Sequence, residues 1–286
     1  MTLFHLLGAG PTAVMNTSAM AQIWLGLNDK SPVDPGLTPD FPRDLAEIES
    51  PAERKDRFLT SLLPVVTQEN QLIAEQRKWL LDTQRHLVHG NASAVERRGL
   101  SDLARYYRLP RHLTVPTTGA LPSQTMAELL LRIDTLPPSL VLAQAAIESG
   151  WGTSRFVREG NNLFGQWVTG DTPGLMPSDA DPGDGYRVAA YDTVAHSVRS
   201  YLRNLNTHRA YRQLRHWRAD LRAANEPLDS TILSAGLVRY SQRGEAYVEE
   251  LLSVIRGNRL DRYDGIDQRP LRLSSTWWGG SLLARQ

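Results

Sequence analysis

The sequence has no cysteine anywhere in its 286 residues. That excludes disulfides and thiolate nucleophiles, although it fits a reducing and an oxidising compartment equally well. Lysine is nearly missing too: Lys30, Lys55 and Lys78 are the only ones, and arginine supplies the rest of the 32 basic residues. Against them stand 31 acidic residues, for a net charge of +1. Such a balance offers no concentrated positive surface for a phosphate backbone, which argues against a nucleic-acid partner. The seven histidines form no HExxH and no paired carboxylate spacing. No metal site and no cofactor is therefore expected. No specific protein partner can be read from the chain either.

The amino end lacks a basic n-region. MTLFHLLGAGPTAVMNTSAMAQ has an apolar stretch, but Gly8, Gly10 and Pro11 interrupt it, and it is too short and broken to span a membrane as a helix. Its last feature is Ala19-Met20-Ala21, which has the small-x-small form of a signal-peptidase site.

What is present is mostly helical pattern. Residues 1–52 read as a leader followed by an irregular arm with Pro32, Pro35, Pro39, Pro42 and Pro51. From about Glu53, Phe58, Leu59, Leu62, Leu63, Val66, Ile73 and Leu80 recur at helical spacing, and Pro64 is expected to divide or kink that helix. A shorter helix is expected over 98–108. Together these make a helical subdomain over 53–118, with Pro110, Pro116 and 119–122 as a hinge to a second part over 121–262. There, helices are expected at 125–133, from Pro138 to Glu148, and near 194–206, 208–224, 229–238 and 245–257. Asp229 should be an N-cap and Gly257 a C-terminal stop. Only 166–191 departs from this rhythm: it is rich in Gly, Asp and Pro and ends in strand-like Tyr186–Tyr191, as a small lobe or hairpin would. The tail, 263–286, is irregular apart from Trp277-Trp278. The fold class expected is mainly α with a small β-containing lobe.

Within the second part, LAQAAIESGWG, residues 142–152, sets one carboxylate at the end of an almost wholly apolar helix. Val141, Leu142, Ala145, Ala146 and Ile147 leave little polar face, so the helix should be central in a packed bundle. Gln144, one turn before Glu148, is its nearest polar companion. Burial and a helix C-terminus both disfavour the anion, so the Glu148 carboxyl should hold its proton to higher pH. Such a group can protonate a glycosidic oxygen. The plainer alternative is a glutamate that faces solvent or caps a loop.

The residues that follow add aromatic faces and amides. Trp151, Phe164 and Trp167 could stack on sugar rings, and Asn161 and Asn162 could bond them; equally, the aromatics could be core and the amides turn-formers. Taken in order, Ala143-Gln-Ala-Ala-Ile-Glu-Ser-Gly-Trp-Gly-Thr-Ser154, Asn161-Asn-Leu-Phe-Gly165, Asn204-Leu-Asn-Thr-His208 with Ala210-Tyr211, then Tyr240-Ser241 and Tyr247, resemble the Bax-like bacterial proteins. Those belong to the flagellar-type, mannosyl-glycoprotein endo-beta-N-acetylglucosaminidase-like group. The likeness covers roughly 121–260 and reaches weakly back to about residue 53.

That resemblance implies a lysozyme-like helical domain acting on peptidoglycan glycan strands, with Glu148 as catalytic acid and Tyr240 as an active-site tyrosine. Tyr191 is its candidate for shaping the cleft, and Trp151, Asn161, Asn162, Phe164 and Trp167, with Tyr247, stand as the candidates on the substrate side. It also implies a periplasmic or otherwise extracytoplasmic location, with a mature chain starting near Gln22. A second carboxylate is harder to place. Where the group often has Glu before Ser, this chain reads Ala195-His196-Ser197, and the small lobe offers Asp171, Asp179, Asp181 and Asp184 instead. Hydrolysis of the GlcNAc-β-1,4-MurNAc bond is the reading favoured. A lytic transglycosylase using one Glu as acid and base, and a glycan-binding or scaffold protein without turnover, remain the alternatives.

Overall fold

The computed structural model describes residues 26–27, 41–169, 172, 174–177 and 186–264. Among them are nine α-helices and one small antiparallel sheet, a mainly-α fold with a small β lobe. The leader, the four loop aspartates and Trp277-Trp278 lie outside the described residues.

Helix α1, Pro51–Val88, runs for 38 residues without a break. The expectation that Pro64 divides it fails. Proline removes one N–H from the ladder and frees the carbonyl four residues earlier. Here that residue, Thr60, is exposed, so water can satisfy the freed group, while Leu62, Val65 and Val66 around the proline are buried. Ser50 caps the start, its hydroxyl accepting from the Glu53 N–H. Helix α2, Ala94–Tyr106, begins with the reciprocal Ser93–Glu96 capping box.

Helix α3, Ser123–Arg132, leads through an Ile-Asp-Thr-Leu-Pro turn into α4, Pro138–Ser149. Every residue of α4 from Pro138 to Ala146 is buried. It packs against α1 on one side and α9, Glu245–Gly257, on the other. Each large apolar side chain fully withdrawn from water there contributes roughly 1.5–3 kcal/mol, so the helix has little freedom to shift. Its positive end is met by Asp264, which accepts from the Ser139 N–H at 2.8 Å and its hydroxyl at 2.6 Å.

Buried ion pairs fix the neighbours. Glu69 of α1 accepts from Nε and Nη2 of Arg199, each at 2.8 Å, joining α1 to α6, Val194–Thr207. Asp134, in the turn before α4, faces Arg77 of α1 together with Arg218 and Arg222 of α7, Arg212–Ala223. Arg218 also donates to the Leu131, Asp134 and Thr135 carbonyls, closing the open end of α3.

The segment expected as one helix over 208–224 opens instead with a 3-10 turn, Arg209–Tyr211. Similarly 229–238 is a short α8, Ser230–Ser234, continued by a 3-10 turn. Asp229 caps α8 as expected, accepting from Thr231 and Ile232. The small lobe follows α5, Arg155–Gly160. Its sheet has the order β1-β3-β2, with β1 Trp167–Thr169, β2 Gly174–Leu175 and β3 Tyr186–Ala189. The register sets Trp167 against Val188 and Thr169 against Tyr186, so Trp167 and Tyr186 are diagonal neighbours on one face.

Candidate active site

Glu148 sits half-buried in the last turn of α4. Its surroundings begin one turn back with Gln144, which is wholly buried. The Tyr201 hydroxyl of α6 donates to the Gln144 carbonyl oxygen. The Gln144 amide in turn donates to the Tyr247 hydroxyl at 2.9 Å. With its oxygen accepting from Gln144, Tyr247 directs its single proton to the Glu148 carboxylate. Three buried polar groups from α4, α6 and α9 therefore form a relay that ends on Glu148.

Burial pushes the Glu148 carboxyl above its ordinary value. The Tyr247 hydrogen bond and the more distant Arg243 pull it down, and the charge of Glu250 pushes it up; the net is upward. Phenols complete the enclosure. Tyr247 stacks on Tyr240 at 5.6 Å, Tyr240 meets Tyr211 at 6.0 Å, and Tyr201 stacks on Phe164 at 3.8 Å. Burial and the neighbouring Glu148 charge hold the hydroxyls of Tyr201, Tyr211, Tyr240 and Tyr247 above the ordinary phenol range, so all stay neutral.

The turn after α4 seats the site on the amino-terminal helices. Gly150, Trp151 and Gly152 all adopt left-handed backbone, and only the middle one carries a side chain there. A Cβ at Gly152 would lie 2.5 Å from Leu45 Cδ1 and 3.1 Å from the Phe58 ring, so any larger residue would lift the turn away. The Ser149 hydroxyl, buried, accepts from the Gly152 N–H at 2.8 Å. Trp151 packs edge-on against Phe58 of α1 with the Lys55 ammonium over its ring. The indole thus faces the amino-terminal helix, the core role that the sequence left open.

Asn161 and Asn162 are turn-formers in the same sense. Asn161 takes a left-handed conformation at the end of α5 and donates to the Tyr191 and Asp192 carbonyls. Asn162, 1% exposed, donates to the Gln166 and Ala189 carbonyls and accepts from the Phe164 and Gln166 N–H groups. Its amide is fully committed to folding the Leu163-Phe164-Gly165 loop. Gly165, at φ +60°, brings that loop within ordinary contact of Glu148: a Cβ there would stand 3.9 Å from Oε2. Tyr240 secures the same loop from the other side, its hydroxyl donating to the Phe164 carbonyl at 3.1 Å. Phe164 itself is buried. Tyr191 donates to Gln166 at 2.7 Å, two residues beyond Phe164.

Trp167 is different. It is 56% exposed on β1 and meets Tyr186, 42% exposed, edge to face at 5.1 Å. Of the aromatics named from sequence, it presents the most open face. His196 is buried near the start of α6, and the adjacent Ser197 hydroxyl accepts from the Leu163 N–H. Tyr201, Glu250 and Arg243 were not singled out by the sequence reading. Tyr201 had a signal: a phenol inside the Val194, Val198, Leu202, Leu205 stripe must find a buried partner, and Gln144 has the same need.

The sequence signature described as "Mannosyl-glycoprotein endo-beta-N-acetylglucosaminidase" matches residues 124–260, which contain all of the groups around Glu148. The chain is also similar to "Protein bax" of Escherichia coli (strain K12), 35% identical over 216 residues that cover 76% of this chain and 74% of that protein. That similarity exceeds the span of the signature and takes in helices outside it. No solved structure matches the chain.

Proposed function

From the chain's membership of the Bax-like group of the glucosaminidase family, we propose that it is a peptidoglycan hydrolase, an endo-β-N-acetylglucosaminidase that cleaves the GlcNAc-β-1,4-MurNAc bond. The observation that carries the reading is the setting of Glu148: a carboxyl raised by burial, oriented by Tyr247, and open toward a glycine loop. Glu148 is the general acid, giving its proton to the glycosidic oxygen as the C1–O bond breaks. Tyr240 holds the Phe164-Gly165 loop, and its oxygen remains able to accept a hydrogen bond from a sugar hydroxyl or water. Trp167 supplies an aromatic face for a pyranose ring. Because the substrate lies outside the cytoplasmic membrane, the protein acts there, after removal of a leader ending near Ala21.

A lytic transglycosylase is the second reading, favoured by one fact: the group bonded to Glu148 is a phenol, as suits an acid that works alone. Digestion of purified peptidoglycan with mass spectrometry of the products separates the two. Reducing GlcNAc ends are expected, and anhydro-muramic ends would select the transglycosylase. Glu148→Gln should slow cleavage by about 10²–10⁴-fold with the fold retained. Undiminished cleavage by that variant would remove Glu148 from the mechanism, and a folded wild type inert on several cell-wall substrates would favour a binding or scaffold protein.

A further inference from the structure

Tyr201 and Gln144 are polar groups in places that packing alone would give to apolar ones. Tyr201 is wholly buried beside Val198, Leu202 and Leu205 of α6, and its ring stacks on Phe164 at 3.8 Å, 10° from parallel. A phenylalanine would keep that stack, so only the hydroxyl asks for more. Among the described residues its hydrogen bond goes to the Gln144 oxygen. Gln144 lies in the fully buried part of α4, and its amide nitrogen donates to Tyr247 at 2.9 Å. Tyr247 is in turn hydrogen-bonded to Glu148, while its ring stacks on Tyr240, 9° from parallel.

The direction of this chain of bonds has a cause. The two ends of a glutamine amide have nearly the same shape, so hydrogen bonds decide which way it points. Here the oxygen receives the Tyr201 proton and the nitrogen faces the Tyr247 oxygen, which leaves the single Tyr247 proton for Glu148. Turned over, the amide oxygen would take the Tyr247 proton, and Glu148 would lose its donor. The same turn would set the Tyr201 proton against an N–H group in a place shut off from water, which is unfavourable. The Tyr201 hydroxyl therefore opposes it. On the peptidoglycan-hydrolase reading, we infer that Tyr201 is a positioning residue of the reaction: it locks the Gln144 amide in the one orientation that aims the Tyr247 proton at the acid. It acts through two intervening side chains, from a different helix, and no proton passes along the chain. The groups that face Glu148 are Tyr247, Glu250 and Arg243 from α9 and its approach, Tyr201 from α6, Tyr211 from the 3-10 turn and Tyr240.

Tyr201→Phe removes one oxygen and leaves the stack on Phe164 in place. Two measurements read the result: the pH profile of cleavage of purified peptidoglycan, and titration of the Glu148 carboxyl by carbon NMR. The Glu148 resonance is identified by its absence from Glu148→Gln. In Tyr201→Phe the released amide oxygen should draw the Tyr247 proton, so Glu148 should titrate at higher pH and the high-pH limb of the profile should move up with it. The maximal rate should fall about 2–10-fold, the weight of one hydrogen bond. In a Gln144→Met background, which has no amide to turn, Tyr201→Phe should leave the Glu148 titration where that background sets it. A purely structural role would disturb Glu148 equally with and without the amide. Should Tyr201→Phe fold poorly, Gln144→Glu carries the test, because its carboxylate accepts from both phenols and should displace the Glu148 titration upward in the same way. An unshifted titration in the folded variant, a rate profile that does not follow it, or an equal shift in the methionine background would overturn the role. The titration needs no substrate, so it tests the lock even where wild type leaves peptidoglycan intact, an outcome that removes the hydrolase reading instead.

Discussion

Asp134 and Glu148 stand at the two ends of one short stretch of chain, and the protein treats them oppositely. Asp134 is 3% exposed and faces three guanidiniums, with Arg222 bonding both of its oxygens. Burial pushes its carboxyl up, but Arg218, Arg222 and Arg77 outweigh that and hold it below the usual carboxylate range. Glu148 is less buried, yet its immediate partner is a neutral phenol and its carboxyl is displaced upward. The difference lies in what each acid is given as company. Cations fix a carboxylate as a permanent anion, which suits a clamp between helices. Phenols and apolar walls leave a carboxyl able to exchange its proton, which suits chemistry.

The clamp should be the more costly to break. Asp134→Asn keeps the volume and removes the charge that offsets Arg218, which is 1% exposed, along with Arg77 and Arg222. Leaving the buried Arg218 guanidinium without its anion costs about 3–5 kcal/mol. Urea unfolding should show that loss, with residual activity falling only as the folded fraction falls. In wild type, the carboxylate's contribution is present above the ordinary aspartate range and is lost as pH falls through the depressed folded value. A substitution at Asp134 that left the urea midpoint unchanged would break the contrast, because the three arginines would then be satisfied without it.

Tyr247→Phe sharpens the other side. It removes the acceptor of the Gln144 amide and the donor to Glu148 in one step. The amide nitrogen is left without its partner inside a buried helix, at a cost of about 1–3 kcal/mol. Tyr247 lowers the Glu148 carboxyl, so without it the carboxyl should rise further and hold its proton to higher pH. The high-pH limb of the rate profile should therefore move up, with the maximal rate down about 10-fold as the acid loses its orientation. A limb that moved down would show that some other group titrates there.

How far these roles could be read in the sequence depended on range. Local signals carried well: Asp229 caps its helix and the strand-like Tyr186 segment is a strand, while α9 ends at Gly257 with the left-handed turn taken by Arg259 and not by the glycine. The apolar wrapping of Glu148 was also local, since every third and fourth residue of α4 is in view at once. Pro64 pointed to a division that does not occur, because the carbonyl it frees can be satisfied by water, and the exposure of Thr60 is a property of the packed chain. Asn161 and Asn162, open in the sequence between sugar ligands and turn-formers, bond backbone atoms up to 31 residues away. The relay through Tyr201 and Tyr247 joins α6 and α9 to α4 across more than fifty residues. No spacing rule reaches that far.

The smallest effect is the most direct measure of the comparison. A carboxyl that burial raises above its ordinary value binds its proton more tightly in the folded state than in the unfolded chain. Its contribution to stability is full below the ordinary glutamate range and is lost as pH rises through the folded value. This is the reverse of Asp134. Glu148→Gln removes the titration while retaining an oxygen to accept from Tyr247. The variant and wild type should therefore melt together near pH 4. Above the folded value the variant should melt higher, by about 1–3 °C. Stability gained at the residue whose loss stops cleavage is what a reactive acid held in apolar surroundings should show. A variant that melted lower than wild type at neutral pH would mean that the Glu148 carboxylate is stabilised in the folded protein, and the distinction from Asp134 would disappear.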